Sequence, residues 1–207
     1  MKTRDVLLGA AITMVIPTLT ATMQLPAAVG EIDDPDAYAV YASVLPVAFD
    51  SGDTNRTRAA IRETTQAHMY CLTDGRKIPA GWAEVVENFK KENASSKRLR
   101  SDFTLGVSYT LVSDAEITAA VTSDREQFAK ANPGREFYEQ QTYRRFPNQK
   151  LYSLSAVGFN AAKTRAFVSV QYSCGFDCAG GHYFWREKVN GSWVQPKDIG
   201  VFCSWVA

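Results

Sequence analysis

Histidine is almost missing from this chain. His68 and His182 are the only two in 207 residues, so any scheme needing a histidine acid, base or nucleophile activator must use one of them. An excess of either charge is missing too: 23 Lys and Arg face 22 Asp and Glu. Such a balance leaves no long-range field to draw in nucleic acid or anionic lipid. Gly-x-Ser-x-Gly, His-Glu-x-x-His, Ser-x-x-Lys and phosphate-cradling glycine loops do not occur, so the common hydrolase signatures are absent. There is no internal repeat and no low-complexity tract. With 45% apolar, 12% aromatic and 22% charged residues, the composition is globular and excludes disorder, collagen and coiled coil.

What the chain does have begins with an uncharged run from Val6 to Gly30, preceded by Lys2 and Arg4. It reads as a secretory signal, residues 1–30, with Ala28-Val29-Gly30 supplying the small residues before a cut at Glu31. Pro17 and the threonines at 13, 18, 20 and 22 weaken it as a bilayer span. The alternative is a retained anchor, since 25 uncharged residues are long enough to cross. Removing Lys2, Arg4 and Asp5 from the totals leaves 21 charges of each sign, so residues 31–207 are formally neutral. No stable membrane insertion is expected after cleavage. On an exported chain, Cys71, Cys174, Cys178 and Cys203 form an even set in a disulfide-permissive compartment, with three connectivities open.

Asp34 as N-cap, Pro35 at the first helical position and the spacing of Ala37, Val40, Tyr41, Val44 and Leu45 predict a helix that Pro46 stops. Asp50 to Asn55 reads as a turn, and Thr57 to Thr65 as a weakly alternating strand. Trp82, Val85, Val86 and Phe89 mark one face of a second helix. Leu105, Val107, Tyr109 and Leu111 alternate as a half-buried strand. Ser113-Asp-Ala-Glu116 and Ser123-Asp-Arg-Glu126 both have capping-box spacing, predicting one or two short helices before a break at Pro133-Gly134 and a further turn through Phe137 and Tyr138. The last third, Leu151–Phe159, Arg165–Cys174, His182–Val189 and Ser192–Val206, reads as strands, with Asn190-Gly191 as a hairpin turn. The expectation is one α+β domain, 31–207, with N-terminal helices packed on one face of a C-terminal antiparallel β-meander and stapled by disulfides.

Ser155-Ala-Val-Gly-Phe-Asn160, Cys174-Gly-Phe-Asp-Cys178-Ala-Gly-Gly-His-Tyr183 and Gly191-Ser-Trp193-Val194 ahead of Trp205 resemble a group of bacterial exported proteins without an assigned activity. The helix holding Asp36-Ala-Tyr-Ala-Val-Tyr41 is similar to the opening of that group. The resemblance implies a fold and carries no catalytic residue across. Cys71 and Cys203 lie outside its pattern, and their joint presence suggests that they pair with each other.

The densest cluster, Cys174 to His182, has two readings. Cys174, Cys178, His182 and Asp177 could ligate zinc. Alternatively, Cys174 and Cys178 close a hairpin tip in which Gly175, Gly180 and Gly181 supply backbone freedom. Oxidised thiols in an exported protein favour the disulfide, so no metal and no cofactor are expected. Glu84/Glu87 and Glu136/Glu139 sit three apart and read as solvated helix faces. Lys90, Lys91, Lys97, Arg98 and Arg100 form a basic stretch, but acids bracket it and aromatics are not interleaved, which argues against nucleic acid. Tyr172, Tyr183, Trp185, Trp193 and Trp205 could line a ligand groove, although alternation puts Tyr183 and Trp185 on one core face. The three Asn-x-Ser/Thr sequons are discounted because the resemblance is bacterial.

Two functions follow as expectations. The first is a non-enzymatic extracytoplasmic domain, periplasmic or secreted, binding a protein or small-molecule partner through the sheet or the Cys174–Cys178 loop, with His182, Tyr183 and Trp185 as candidate contacts. The second is a secreted hydrolase using His182 with Asp177 or Glu187.

Overall fold

The structure is a computed structural model, and it describes residues 29–49, 58–73, 77–102, 104, 108–138, 140–146, 149–175, 178–200 and 202–206. The run read as a secretory signal lies, through residue 28, outside the described residues. So do the Asp50 to Asn55 turn, Leu105 to Val107, Glu139 and Asp177.

Helix α1 spans Pro35–Phe49. Asp34 caps it, its Oδ1 accepting from the Asp36 N–H at 3.0 Å. Ala37, Val40, Tyr41, Val44 and Leu45 form its buried face. The predicted stop at Pro46 is corrected: Pro46 sits inside the helix, exposed. Its ring removes only the bond that its own N–H would make to the Ala42 carbonyl, and one further turn follows.

Strand β1 (Arg58–Arg62) pairs parallel with both β2 (Ser108–Val112) and β3 (Leu151–Leu154). The connection from β1 to β2 passes through α2 (Tyr70–Thr73) and α3 (Ala83–Glu92). That from β2 to β3 passes through α4 (Asp114–Ala131) and α5 (Gln140–Tyr143). Parallel neighbours need such crossovers, and helices supply them. Then β4 (Gly158–Phe159) and β6 (Cys178–Val189) pair antiparallel with β5 (Arg165–Gly175). Finally β7 (Ser192–Val194) and β8 (Cys203–Val206) pair with β6. The order β2-β1-β3-β5-β6-β7 makes a curled mixed sheet. The domain is therefore α+β: β3 to β8 pair antiparallel, and β1 and β2 join the same sheet in parallel, which makes it mixed. Strands and helices alternate through the first two thirds, the pattern that produces parallel pairing.

Helices cover both faces rather than one. On the first, α1 packs against Ala59, Ile61, Tyr152, Leu154, Ala166, Val168 and Phe184. On the second, α3 places Val85, Val86 and Phe89 against Phe167, Tyr183 and Trp185, while Ile117 of α4 and Tyr143 of α5 meet Ala60 and Leu151. Because both faces are buried, β5 reads as a run, Ala166-Phe-Val-Ser-Val170, without polar alternation.

Ser113 and Glu116 form the expected capping box. The second capping box is corrected: α4 runs unbroken for 18 residues and Ser123 lies within it, its Oγ accepting from Gln127 Nε2 at 3.1 Å. Residues 135–138 are irregular, so the turn through Phe137 and Tyr138 does not form and Glu136 is not on a helix. Asn190 (φ 50°) and Gly191 (φ 81°) make the expected hairpin turn, with φ > 0 at both central positions.

Candidate functional site

The motif segment Ser155 to Asn160 is held by α3 and by its own side chains. Asn88 Oδ1 accepts from the Phe159 N–H at 2.7 Å and Glu84 Oε1 from the Ala161 N–H at 2.7 Å. Asn93 accepts from the Ala156 N–H and donates to the Ala156 carbonyl, at 2.8 and 3.0 Å. Asn160 Oδ1 accepts from the Thr164 and Arg165 N–H groups, folding the β4–β5 turn. Gly158 lies directly under α3: a Cβ built there would stand 2.5 Å from the Phe89 Cβ and backbone N. Ala156, Gly158, Phe159 and Asn160 thus each have a fold-building task.

Between this segment, α3 and the start of α1 opens a cleft of about 730 Å³. Ala156, Val157 and Phe159 contribute apolar lining. Glu31, Asp33, Asp34, Glu84, Glu87 and Glu92 give it six carboxylates against the three ammonium groups of Lys91, Lys97 and Lys163. Lys163 bonds Asp34 at 2.8 Å, Lys97 pairs with Glu92, and Glu87 pairs with Lys90 at 2.8 Å. At the edge of α1, Lys188 donates to Asp36 at 2.6 Å, and this holds the Asp36 carboxyl below its ordinary range. The lining therefore carries more carboxylates than ammonium groups beside its apolar side chains, and Lys90 and Arg100, the latter 3.8 Å from Glu31, offset two of those carboxylates from outside it. Sequence reasoning missed it because its walls come from residues 31–37, 84–97 and 156–163.

The basic stretch at the end of α3 is locally neutralised. Besides Lys90 and Lys97, Arg98 pairs with Glu63 at 2.8 Å and Arg100 with Asp102 at 2.6 Å.

The expected contacts His182, Tyr183 and Trp185 are not brought together. Tyr183 and Trp185 are fully buried on the α3 side, where the Trp82 ring lies 4.8 Å from that of Trp185, tilted by 58°, and the Tyr183 hydroxyl donates to the His68 carbonyl. Burial pushes the Tyr183 hydroxyl up to about 12. His182 points to the other face, half-buried, its ring 6.1 Å from Phe184. Its Nδ1 lies 2.9 Å from Ser204 Oγ, its register partner on β8. Burial lowers the His182 pKa and so favours the neutral ring. No carboxylate among the described residues bonds to it, and Glu187 sits farther along β6. Ser204 was not singled out in the sequence, where only its place across from His182 in a late strand could have shown it.

The cysteines pair as Cys71–Cys203, joining α2 to β8 with Cα atoms 6.1 Å apart, and Cys174–Cys178, closing the β5–β6 hairpin with Cα atoms 5.0 Å apart. The thiolates of the zinc reading are consumed, and no group of three His, Cys, Asp or Glu among the described residues could hold a metal ion. Backbone freedom explains only Gly175, at φ 124°. Gly180 and Gly181 are ordinary strand residues whose missing side chains make room. A Cβ would meet Tyr172 Oη at 2.6 Å on one face and Trp205 Nε1 at 2.7 Å on the other.

No helix among the described residues is long and apolar enough to cross a membrane. Compared with known proteins, the chain matches no family model, no curated protein and no solved structure.

Proposed function

We propose that this is an extracytoplasmic, non-enzymatic binding domain of the bacterial exported type that its C-terminal half resembles, and that it takes a cationic ligand or partner segment in the cleft between α1, α3 and β4. The observation that carries the reading is the cleft itself, lined by six carboxylates, three ammonium groups and the apolar side chains of Ala156, Val157 and Phe159. Two disulfides fit an oxidising compartment. Export with cleavage before Glu31 would forfeit the Arg98 N–H bond to the Gly30 carbonyl at 2.7 Å but keep Ile32, buried and bonded to the Arg98 carbonyl at 3.0 Å. N-terminal sequencing of exported protein should begin at or near Glu31, and an intact Met1 in membranes would refute cleavage.

Calorimetric titration with a Lys-rich peptide tests the cleft. Asp33→Asn with Glu31→Gln should weaken binding severalfold and flatten its salt dependence, because exposed charge pairs are screened. An unchanged affinity would sink the reading.

A secreted hydrolase is the second reading, favoured by one contact, His182 Nδ1 to Ser204 Oγ at 2.9 Å, with the exposed serine as nucleophile and the neutral imidazole as base. A fluorophosphonate probe separates the two. The binding reading expects no adduct at Ser204 and full ligand capture by His182→Ala. Labelling of Ser204 that disappears in His182→Ala would favour the hydrolase.

A further inference from the structure

The two disulfides occupy opposite environments. Cys71 is fully buried and Cys203 is 3% exposed, both within the cluster of Trp82, Phe89, Phe167 and Trp185. Cys174 and Cys178 are only half-buried, at the turn end of the β5–β6 hairpin. An attacking thiolate must approach a sulfur in line with the S–S bond, so access separates a structural disulfide from an exchangeable one. A second difference concerns what opening the bond releases. The Cys71–Cys203 link spans 132 residues, whereas the tip link spans four.

The ladder behind the tip does not depend on the bond. Ser173 pairs with Ala179, Tyr172 with Gly180 and Gln171 with Gly181, and only the Gly175–Cys178 pair lies beyond the register shift at the end of the hairpin. Tyr172 covers Gly180 and Trp205 covers Gly181, clamping β6 from both faces one turn of pleat away from the sulfurs. With the bond open, these contacts keep the two cysteines close together, so the ring can re-form without rearrangement of the sheet.

From access, ring size and the clamped ladder, we propose that Cys174–Cys178 is a thiol–disulfide exchange site that accepts two electrons from a dithiol while the fold stays intact. A dithiol thiolate attacks one tip sulfur, forming a mixed disulfide and releasing the other tip sulfur as thiolate. The second dithiol sulfur then displaces the first tip sulfur. Both tip cysteines end as thiols with two protons taken up, and the dithiol becomes a disulfide. The proposal is independent of the acidic cleft, which lies elsewhere on the molecule.

Graded dithiothreitol treatment of the full folded chain, quenched by alkylation and read by peptide mapping, is the test. Cys174 and Cys178 should be alkylated about tenfold or more faster than Cys71 and Cys203. Near-ultraviolet circular dichroism should be unchanged at that stage, and removal of the reductant should restore the tip bond. Opening of Cys71–Cys203 together with or before the tip, or loss of the near-ultraviolet signal as the tip opens, would overturn the proposal. The Cys174→Ser/Cys178→Ser variant checks the assignment independently: under the same mild reduction it should take up no label, and label at Cys71 or Cys203 would again overturn it.

Discussion

Arg186 is the most unusual single residue of the molecule. It is 3% exposed, and among the described residues its guanidinium bonds to neutral groups: Ser43 Oγ and carbonyl, the Trp185 carbonyl and Gln195 Oε1. Burial pushes its pKa down to about 10, still far above physiological pH, so the buried group stays charged. A buried cation kept by four neutral acceptors acts as a fork that ties β6 to the second half of α1 and to the segment after β7. Arg186→Ala should cost about 2–4 kcal/mol, through the orphaned acceptors and the lost stem packing. Urea denaturation should show a lower midpoint with an unchanged slope. Gly158→Ala should cost about 1–3 kcal/mol, because the new methyl meets the backbone of α3, which cannot rotate aside. Gly191→Ala meets nothing within 4 Å, so its cost is only that of a left-handed backbone, about 1 kcal/mol. Thermal melts of the pair should fall in that order.

At the scale of elements, the β6–β8 contact should make stability depend on pH. Unfolded, His182 titrates near 6.5; folded, burial holds it lower. Between those two values the unfolded chain binds more protons, so stability is complete above 6.5 and falls on acidification through the window. Asp36 acts in the same direction at lower pH: its salt bridge to Lys188 stabilises above the ordinary carboxylate range and is lost as pH falls through its depressed value. His182→Gln should therefore remove the upper part of the decline and leave the lower part, as read from melting temperature across a pH series. Loss of both parts, or of neither, would show that another group is responsible.

Elements also differ in how far the sequence announces them. The α3 stripe, the Ser113 cap and the Asn190-Gly191 turn depend on residues within seven positions of one another, and the folded chain realises all three. The central place of β1 does not follow from local pattern. Arg58-Ala-Ala-Ile-Arg62 is short and barely alternates because both its faces are buried, and its partners lie about 50 and 90 residues away. The cleft is harder still, since none of its three walls is unusual alone. His182 and the cysteines were visible as residue types, but that Ser204 and not a carboxylate faces the imidazole depends on the β6–β8 register.

For the whole molecule, the aromatic core is the main store of stability. Trp193, 6% exposed, packs 5.6 Å from Phe159 and under the Lys188 ammonium, joining β7 to the motif segment and to α1. Trp193→Ala should cost about 3–5 kcal/mol. Removing the Cys71–Cys203 bond should cost about 2–5 kcal/mol, the entropy of a long loop returned to the unfolded chain. The double change should be close to additive, because the two sites lie in different clusters on opposite faces of the sheet.

The same bond has a topological consequence. With residues 71 and 203 joined, the intervening chain is a closed covalent ring that contains β2 to β7, while β1 precedes it and β8 leaves it at Cys203. A protease that cuts the ring once yields two pieces that cannot part. The nicked protein should migrate as a single band in a non-reducing denaturing gel and as two fragments after reduction. A cut in the ring thus becomes an event the molecule can survive with its sheet in place, whereas a cut before residue 71 frees the N-terminal piece from any covalent hold.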